Sequence, residues 1–309
     1  MWNYKDFIGI KNLTKEDIKH ILDLSFEMKQ QMINDKAREI KQTRGNMTTL
    51  FFENSTRTKH SFYMAGQNIG LRVTDLAIGT SSVQKGESLM DTLQTIDSMG
   101  TDIIVMRHSE SGSQEFAARN CKASIISAGD GTNEHPTQAL LDAMTILDKK
   151  GSFEGLKVTI AGDILHSRVA KSNLYLLNKM GAKVTFTGPT TLVPKAITQM
   201  GAKVCYDLKE SVKDADVVMG LRIQMERQNS GAFPDLREYN KTYGIDGAIF
   251  DYAKKDAILM HPAPVNWGVE LDRSLFTAPY SVISEQVTNG VAVRMAVLYM
   301  IMEYRNNRK

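Results

Sequence analysis

Nine short runs rich in β-branched residues punctuate this chain, with helical stretches between them. NMTTLFF (46–52), LRVTDLA (71–77), TDIIVMR (101–107) and ASIISAG (123–129) form a first series. LKVTIAG (156–162), AKVTFTG (182–188), AKVCYD (202–207), DVVMGL (216–221) and DAILMHP (256–262) form a second. The stretches around 56–69, 86–99, 112–121, 167–180 and 193–200 suit helices. Strand–helix alternation predicts parallel sheets covered on both faces. Two such series in 309 residues predict an α/β protein of two domains, each a parallel sheet flanked by helices.

The boundary is expected near Lys149, Lys150, Gly151 and Ser152. HPTQALLDAMTILDKK before it reads as one linking helix, 135–150, opened by Pro136 in its first turn. That gives a first domain of 1–134 and a second of 151–286. The apolar-faced segment 287–305 reads as a C-terminal helix that could stay with the second domain or pack back on the first. RQNSGAFPDLREYNKTYGID (227–246) is polar, punctuated by Gly and Pro, and reads as a long loop.

Composition removes several function classes. A formal charge of +3 gives no dominant basic face, which argues against a nucleic-acid partner. A local basic pocket for a small anion remains compatible with it. Cys121 and Cys205 are far apart in sequence, form no C-x-x-C and read as small buried hydrophobes of a reducing compartment. The N-terminus lacks a signal-type apolar core, and MAVLYMIM (295–302) is too short to span a bilayer. A cytoplasmic protein with no membrane partner is expected.

In open α/β sheets ligands bind beyond the carboxyl ends of the strands, so the polar residues there matter most. After 46–52 comes Glu53, then Ser55, Thr56, Arg57 and Thr58. Opening a helix, these residues offer unpaired backbone N–H groups, hydroxyls and a guanidinium fork, a set suited to phosphate. An ordinary N-cap by Ser55 with an exposed Arg57 is the plainer alternative, and position alone does not separate the two. No G-x-x-x-x-G-K-[ST] or complete G-x-G-x-x-G competes, which favours a small phosphate compound over a nucleotide. His135, at a helix N-terminus, should be neutral and able to donate to a carbonyl, with Gln138 on the same face. Arg222 and Gln224 after 216–221 can face one cleft and suit a carboxylate, though a solvated turn fits the pattern as well. Lys85 lies in the polar loop SSVQKGES and has the spacing of a surface lysine. These strand-end loops hold no cysteine and no helically spaced histidine pair, so a metal site is not expected.

Taken in order, FFENSTRT, SVQKGES, VMRH, AGDGTNEHPTQALLD, GDILHSRVAKSN, VVMGLRIQMER and LMHPAPVNWGVELD resemble the aspartate carbamoyltransferase family over nearly the whole chain. S-T-R-T with H-P-T-Q is specific for the carbamoyltransferase superfamily. R-I-Q with H-P-A-P points to its aspartate branch, since the ornithine branch has cysteine where Pro262 stands. The resemblance implies transfer of the carbamoyl group of carbamoyl phosphate to L-aspartate, an early step of pyrimidine synthesis, with no metal or organic cofactor. It implies that Ser55, Thr56, Arg57 and Thr58 bind phosphate, and that Arg107, His135 and Thr58 polarise the carbonyl. Gln138 and the backbone at Ala263 and Pro264 would hold the carbamoyl NH2. Arg168, Arg222 and Gln224, with Lys85, would hold aspartate. Lys85 and Ser81 or Ser82 would enter from a neighbouring subunit, which requires a homotrimer. Regulatory chains or pathway enzymes are further partners that the family allows. Glu53 would pair with Arg168 and Arg227 as the domains close. A carbamoyltransferase for another amine and a catalytically silent scaffold are the rival readings.

Overall fold

A computed structural model describes residues 2–33, 41–78, 86–224 and 235–308. The chain divides into two compact units, Met1–Leu141 with Thr288–Lys309, and Asp142–Val287.

The first unit is built on a four-stranded parallel sheet in the order β2-β1-β3-β4. Its strands are β1 (Asn46–Phe51), β2 (Arg72–Leu76), β3 (Ile103–His108) and β4 (Ser124–Asp130). β1 and β4 are buried nearly throughout, as strands of a parallel sheet covered on both faces should be, whereas edge strand β2 is largely exposed. Crossovers α2 (Thr56–Asn68), α3 (Leu89–Ser98) and α4 (Ser113–Asn120) join the strands. One core cluster holds Leu50, Leu93, Ile96, Ile104, Met106, Ala117 and Cys121. Burial pushes the Cys121 thiol up to about 11, so it acts as a hydrophobe and not as a nucleophile.

A helix α1 (Lys15–Ile33), beyond the expected set, precedes β1. Thr14 and Asp17 open it by reciprocal capping: the Asp17 N–H donates to Thr14 Oγ1 at 3.1 Å, and the Thr14 N–H donates to Asp17 Oδ2 at 2.9 Å. Ahead of it, Phe7 bridges Ile126 in parallel beside β4.

The second unit has a five-stranded parallel sheet in the order β7-β6-β5-β8-β9. Its strands are β5 (Lys157–Ala161), β6 (Lys183–Thr187), β7 (Lys203–Val204), β8 (Val217–Gly220) and β9 (Ile258–Met260). Entering from α5 (Pro136–Lys150), the chain passes α6 (Arg168–Met180) and the short α7 (Leu208–Val212). Residues Lys195–Met200, expected as an ordinary helix, form a 3-10 turn that ends on left-handed Gly201. The expected loop 227–246 contains α8 (Leu236–Tyr243), a correction to the polar-loop reading. Asp235 caps it, accepting from the N–H groups of Arg237 and Glu238 at 2.8 Å each. A single turn, α9 (Gly247–Phe250), follows before β9.

The last helix, α10 (Ile283–Asn306), packs its length from Thr288 onward with the first unit. Ala292, Val293, Met295, Ala296, Leu298, Ile301 and Met302 are fully buried there, so apolar residues surround the axis as in an interior helix. Arg294 lies over the Phe62 ring of α2, 5.1 Å from its centre. Arg305 donates to the Lys122 carbonyl at 3.0 Å and pairs with Asp102 at 3.4 Å. The C-terminal segment is thereby fixed to the entry ends of β3 and β4.

Lys59 pairs with Asp75 of β2 at 2.6 Å, while Thr49 of β1 donates to the same carboxylate. Both members of the ion pair are one-third exposed, so solvent screens it. Lys59→Met should therefore cost under about 1 kcal/mol in denaturant unfolding. A loss of several kcal/mol would refute that assignment.

Candidate active site

Strand order selects which loops can meet. In the first unit the chain leaves β1 for β2 on one side and then returns to β3 on the other. The crevice at the carboxyl ends of β1 and β3 is thus a topological switch point, where open α/β sheets bind ligands. The Phe52 N–H donates to the Arg107 carbonyl at 2.9 Å, which draws the segment after β1 across to β3. Glu53 then pairs with Arg107 at 3.2 Å, and Arg107 donates to the Ala128 carbonyl of β4 at 3.3 Å.

α2 starts immediately beyond. Ser55 is its N-cap residue, yet its hydroxyl makes no capping hydrogen bond. No acidic residue occupies the first turn, where Thr56 and Arg57 are exposed and Thr58 is buried. An uncapped helix start with a guanidinium and hydroxyls is an anion-binding arrangement. Among the described residues this unit brings together Glu53, Ser55, Thr56, Arg57, Thr58 and Arg107.

The loop after β4 delivers His135 and Gln138. The Gln138 and Ala139 N–H groups donate to the His135 carbonyl at 3.0 and 3.2 Å, so His135 caps α5 by its backbone. His135 and Gln138 are both largely buried.

Two supporting residues carry no local signal in the sequence. Glu134, buried, accepts from the Ile10 N–H at 2.8 Å and so secures the segment just ahead of His135. Gln114 of α4 donates to the carbonyls of Met106 and Gly129 at 3.3 and 2.9 Å, tying the ends of β3 and β4 together. Their partners lie beyond the few residues over which local spacing acts, 124 positions away for Glu134 and 8 and 15 for Gln114.

The second unit has its own switch point, between β5 and β8. After β5, Asp163 accepts from the His166 backbone N–H at 3.1 Å and contacts its Nδ1 at 2.9 Å. Ser167 caps α6, whose first residue is the largely buried Arg168. After β8, Leu221 and Ile223 are buried while Arg222 and Gln224 are partly exposed. The extended alternation expected for this segment thus puts the guanidinium and the amide on one face. Arg227, Ser81, Ser82 and Lys85 lie outside the described residues.

Beyond β9, the Ala263–Pro264 peptide is cis and Ala263 has φ +52°. His261 Nδ1 accepts the Ala263 N–H at 2.9 Å. Nearby Tyr239 is buried, and desolvation together with the Glu270 and Asp163 carboxylates pushes its phenol far above the usual range, which keeps it protonated. Among the described residues no group of three or more His, Cys, Asp and Glu could hold a metal ion. No described helix is long and apolar enough to cross a membrane.

Two domain families match: the aspartate/ornithine carbamoyltransferase carbamoyl-P binding domain over residues 5–148, and the Asp/Orn binding domain over 154–301. The chain belongs to the aspartate/ornithine carbamoyltransferase family. It is 55% identical to the aspartate carbamoyltransferase catalytic subunit of Caldanaerobacter subterraneus over 303 residues, covering 98% of this chain and 99% of that one. With the Ruminiclostridium cellulolyticum subunit of the same name the identity is 52%, over 96% and 95% of the two chains. Among solved structures, the M. jannaschii aspartate transcarbamoylase catalytic subunit superposes with a TM-score of 0.86 at 34% identity, covering 99% of this chain and 100% of that one. Trypanosoma cruzi aspartate transcarbamoylase in complex with carbamoyl phosphate and aspartate gives 0.85 at 31% identity, covering 96% of each chain.

Proposed function

We infer that this chain transfers the carbamoyl group of carbamoyl phosphate to the amine of L-aspartate, giving N-carbamoyl-L-aspartate and phosphate for pyrimidine synthesis. The observation that carries this reading is the chemistry at the two switch points. One presents an uncapped helix start bearing Arg57 after β1, next to the neighbouring strand β3 that ends with Arg107 and His108. The other presents Arg168, Arg222 and Gln224, suited to a dicarboxylate and unsuited to a cationic amine such as ornithine.

In this reading Ser55, Thr56, Arg57 and Thr58 hold the phosphate. Thr58, Arg107 and His135 donate to the carbonyl oxygen as attack by the amine makes it negative, each such donor being worth about 3–4 kcal/mol. Gln138 and the main chain at Ala263 and Pro264 hold the carbamoyl NH2. Lys85, Arg168, Arg222 and Gln224 hold aspartate, and orientation of the two substrates supplies roughly 7–11 kcal/mol more. No protein nucleophile is needed, and the amine proton leaves with the departing phosphate. Ser81 or Ser82 and Lys85 enter from a neighbouring subunit of a cytoplasmic homotrimer, to which regulatory chains or pathway enzymes can bind.

Phosphate release with aspartate, compared with ornithine, tests the reading. Turnover with ornithine and none with aspartate would overturn the acceptor. A folded chain that turns over neither would support the silent-scaffold alternative.

Glu53 exchanges Arg107 for Arg168 and Arg227 when both substrates bind. Glu53→Gln should then lower turnover about fivefold, as loss of a modest coupling between two states does. Unchanged turnover, with unchanged solution compactness in the presence of substrates, would refute the exchange.

A further inference from the structure

A chain of buried polar groups runs through the second unit and ends at the Ala263–Pro264 turn. Asp142 of α5, Asn173 of α6, Gln286 of α10, His261 and Glu270 are each at most 3% exposed. Asn173 Nδ2 donates to Asp142 Oδ2 at 2.8 Å, and Gln286 Nε2 donates to Asp142 Oδ1 at 2.7 Å. On its other side Gln286 Oε1 accepts the His261 backbone N–H at 3.0 Å. His261 Nδ1 in turn accepts the Ala263 N–H. Glu270 Oε1 lies 3.5 Å from His261 Nε2 and accepts the Asn266 N–H at 2.6 Å.

The chemistry of the neighbours fixes every orientation along this path. A carboxylate only accepts and a backbone N–H only donates, so the Gln286 amide has one workable rotamer flip. An Nδ1 that accepts from a backbone N–H places the His261 proton on Nε2, facing Glu270. The outcome is the φ of +52° at Ala263, a left-handed backbone that a residue with a Cβ keeps only where its surroundings hold it. Asp142 is the first residue of its unit and Gln286 the next to last. The same amide thus ties the two ends of the unit to each other and to the turn.

We propose that Gln286 is a positioning residue for carbamoyl transfer: clamped by Asp142, it holds the His261 backbone so that His261 sets the Ala263–Pro264 turn whose main chain meets the carbamoyl NH2. The proposal rests on the functional reading above. Gln286 touches no substrate in it and acts only through the turn.

The test pairs Gln286→Glu with the double variant Asp142→Asn/Gln286→Glu. The single change sets a second acceptor against Asp142. The double change moves one charge by one side chain and restores all three bonds, because the new amide donates to the new carboxylate and accepts from Asn173. Gln286→Glu is expected to lower kcat about 30-fold, the scale for a buried polar pair left unmatched. Amide exchange across 261–266 should rise about tenfold, converted from the same kind of loss, while inorganic phosphate binding is unchanged. The double variant should recover both kcat and exchange protection to near wild type.

Wild-type kcat and exchange protection in a folded Gln286→Glu variant, or no recovery in the double variant, would overturn the proposal. If Gln286→Glu does not fold, the double variant carries the test alone: folded and active supports the clamp, folded and inactive defeats it. The exchange measurement needs no turnover. An inactive wild type whose 261–266 amides loosen in the single variant and tighten in the double would therefore retain the clamp and defeat only the functional reading.

Discussion

Arg57→Ala should lower kcat for carbamoyl transfer by about 10²–10³-fold, the usual loss when one preorganised donor to a charged transition state is removed. Arg57 occupies the first turn of α2, is exposed, and follows an N-cap residue whose hydroxyl makes no capping bond. Backbone N–H groups and a guanidinium on one first turn both favour an anion there, because the helix start already favours negative charge. An exposed arginine contributes little to folding, so stability should stay within about 0.5 kcal/mol of wild type. Arg57→Lys should recover only part of the activity, since a point charge cannot reproduce the bidentate fork. Steady-state phosphate release and thermal unfolding of the three proteins decide the matter. An Arg57→Ala enzyme with near wild-type kcat would leave Arg57 an ordinary exposed residue of α2, without a part in phosphate binding.

Gly162→Ala should raise the aspartate KM by roughly 5- to 150-fold through a residue that touches no substrate. Gly162 directly follows β5 with φ +138°, a conformation side chains rarely adopt. A Cβ there would lie 2.5 Å from the Leu221 carbonyl oxygen and 3.0 Å from Leu221 Cβ. The nearest atom is backbone, so it cannot swing aside as a flexible side chain would. Leu221 is already fixed to β5, its N–H donating to the Ala161 carbonyl at 2.7 Å. Relief must come from moving the strand end that carries Arg222 and Gln224. Overpacking of this kind costs about 1–3 kcal/mol, and the stated range is that energy expressed as a ratio. Phosphate binding at α2 should be unaffected, because the clash stays inside the second unit. A folded Gly162→Ala enzyme with an unchanged aspartate KM would show that Arg222 and Gln224 do not depend on the Gly162–Leu221 packing.

The two predictions differ in how much of their basis could be read from the chain alone. Ser55-Thr56-Arg57-Thr58 after an apolar run signals a helix start with anion-binding groups, because capping and dipole effects act within a single turn. The strands were legible for the same reason: β-branched runs bounded by polar clusters mark buried parallel strands locally. Two helix starts carry signals of the same local kind within polar surroundings. Thr14 with Asp17 opens α1, and Asp235 followed by Glu238 opens α8 inside a stretch dense with polar residues. At Lys195–Met200 the window is short, and Gly201 stops it before a full α-helix can form.

What the sequence by itself determined is the set of elements and the kinds of groups at their ends: hydroxyls, guanidiniums, amides and imidazoles at the mouths of parallel strands. The tertiary structure alone decided strand order, and with it which of those ends share a crevice. It also decided that Glu53 lies against Arg107, that Gly162 abuts Leu221, and that Gln286 reaches both Asp142 and His261. The physical reason is range. Propensity, capping and periodicity act over a few residues, whereas a buried hydrogen bond between Asp142 and Gln286 spans 144 positions and exists only once packing has excluded water around it.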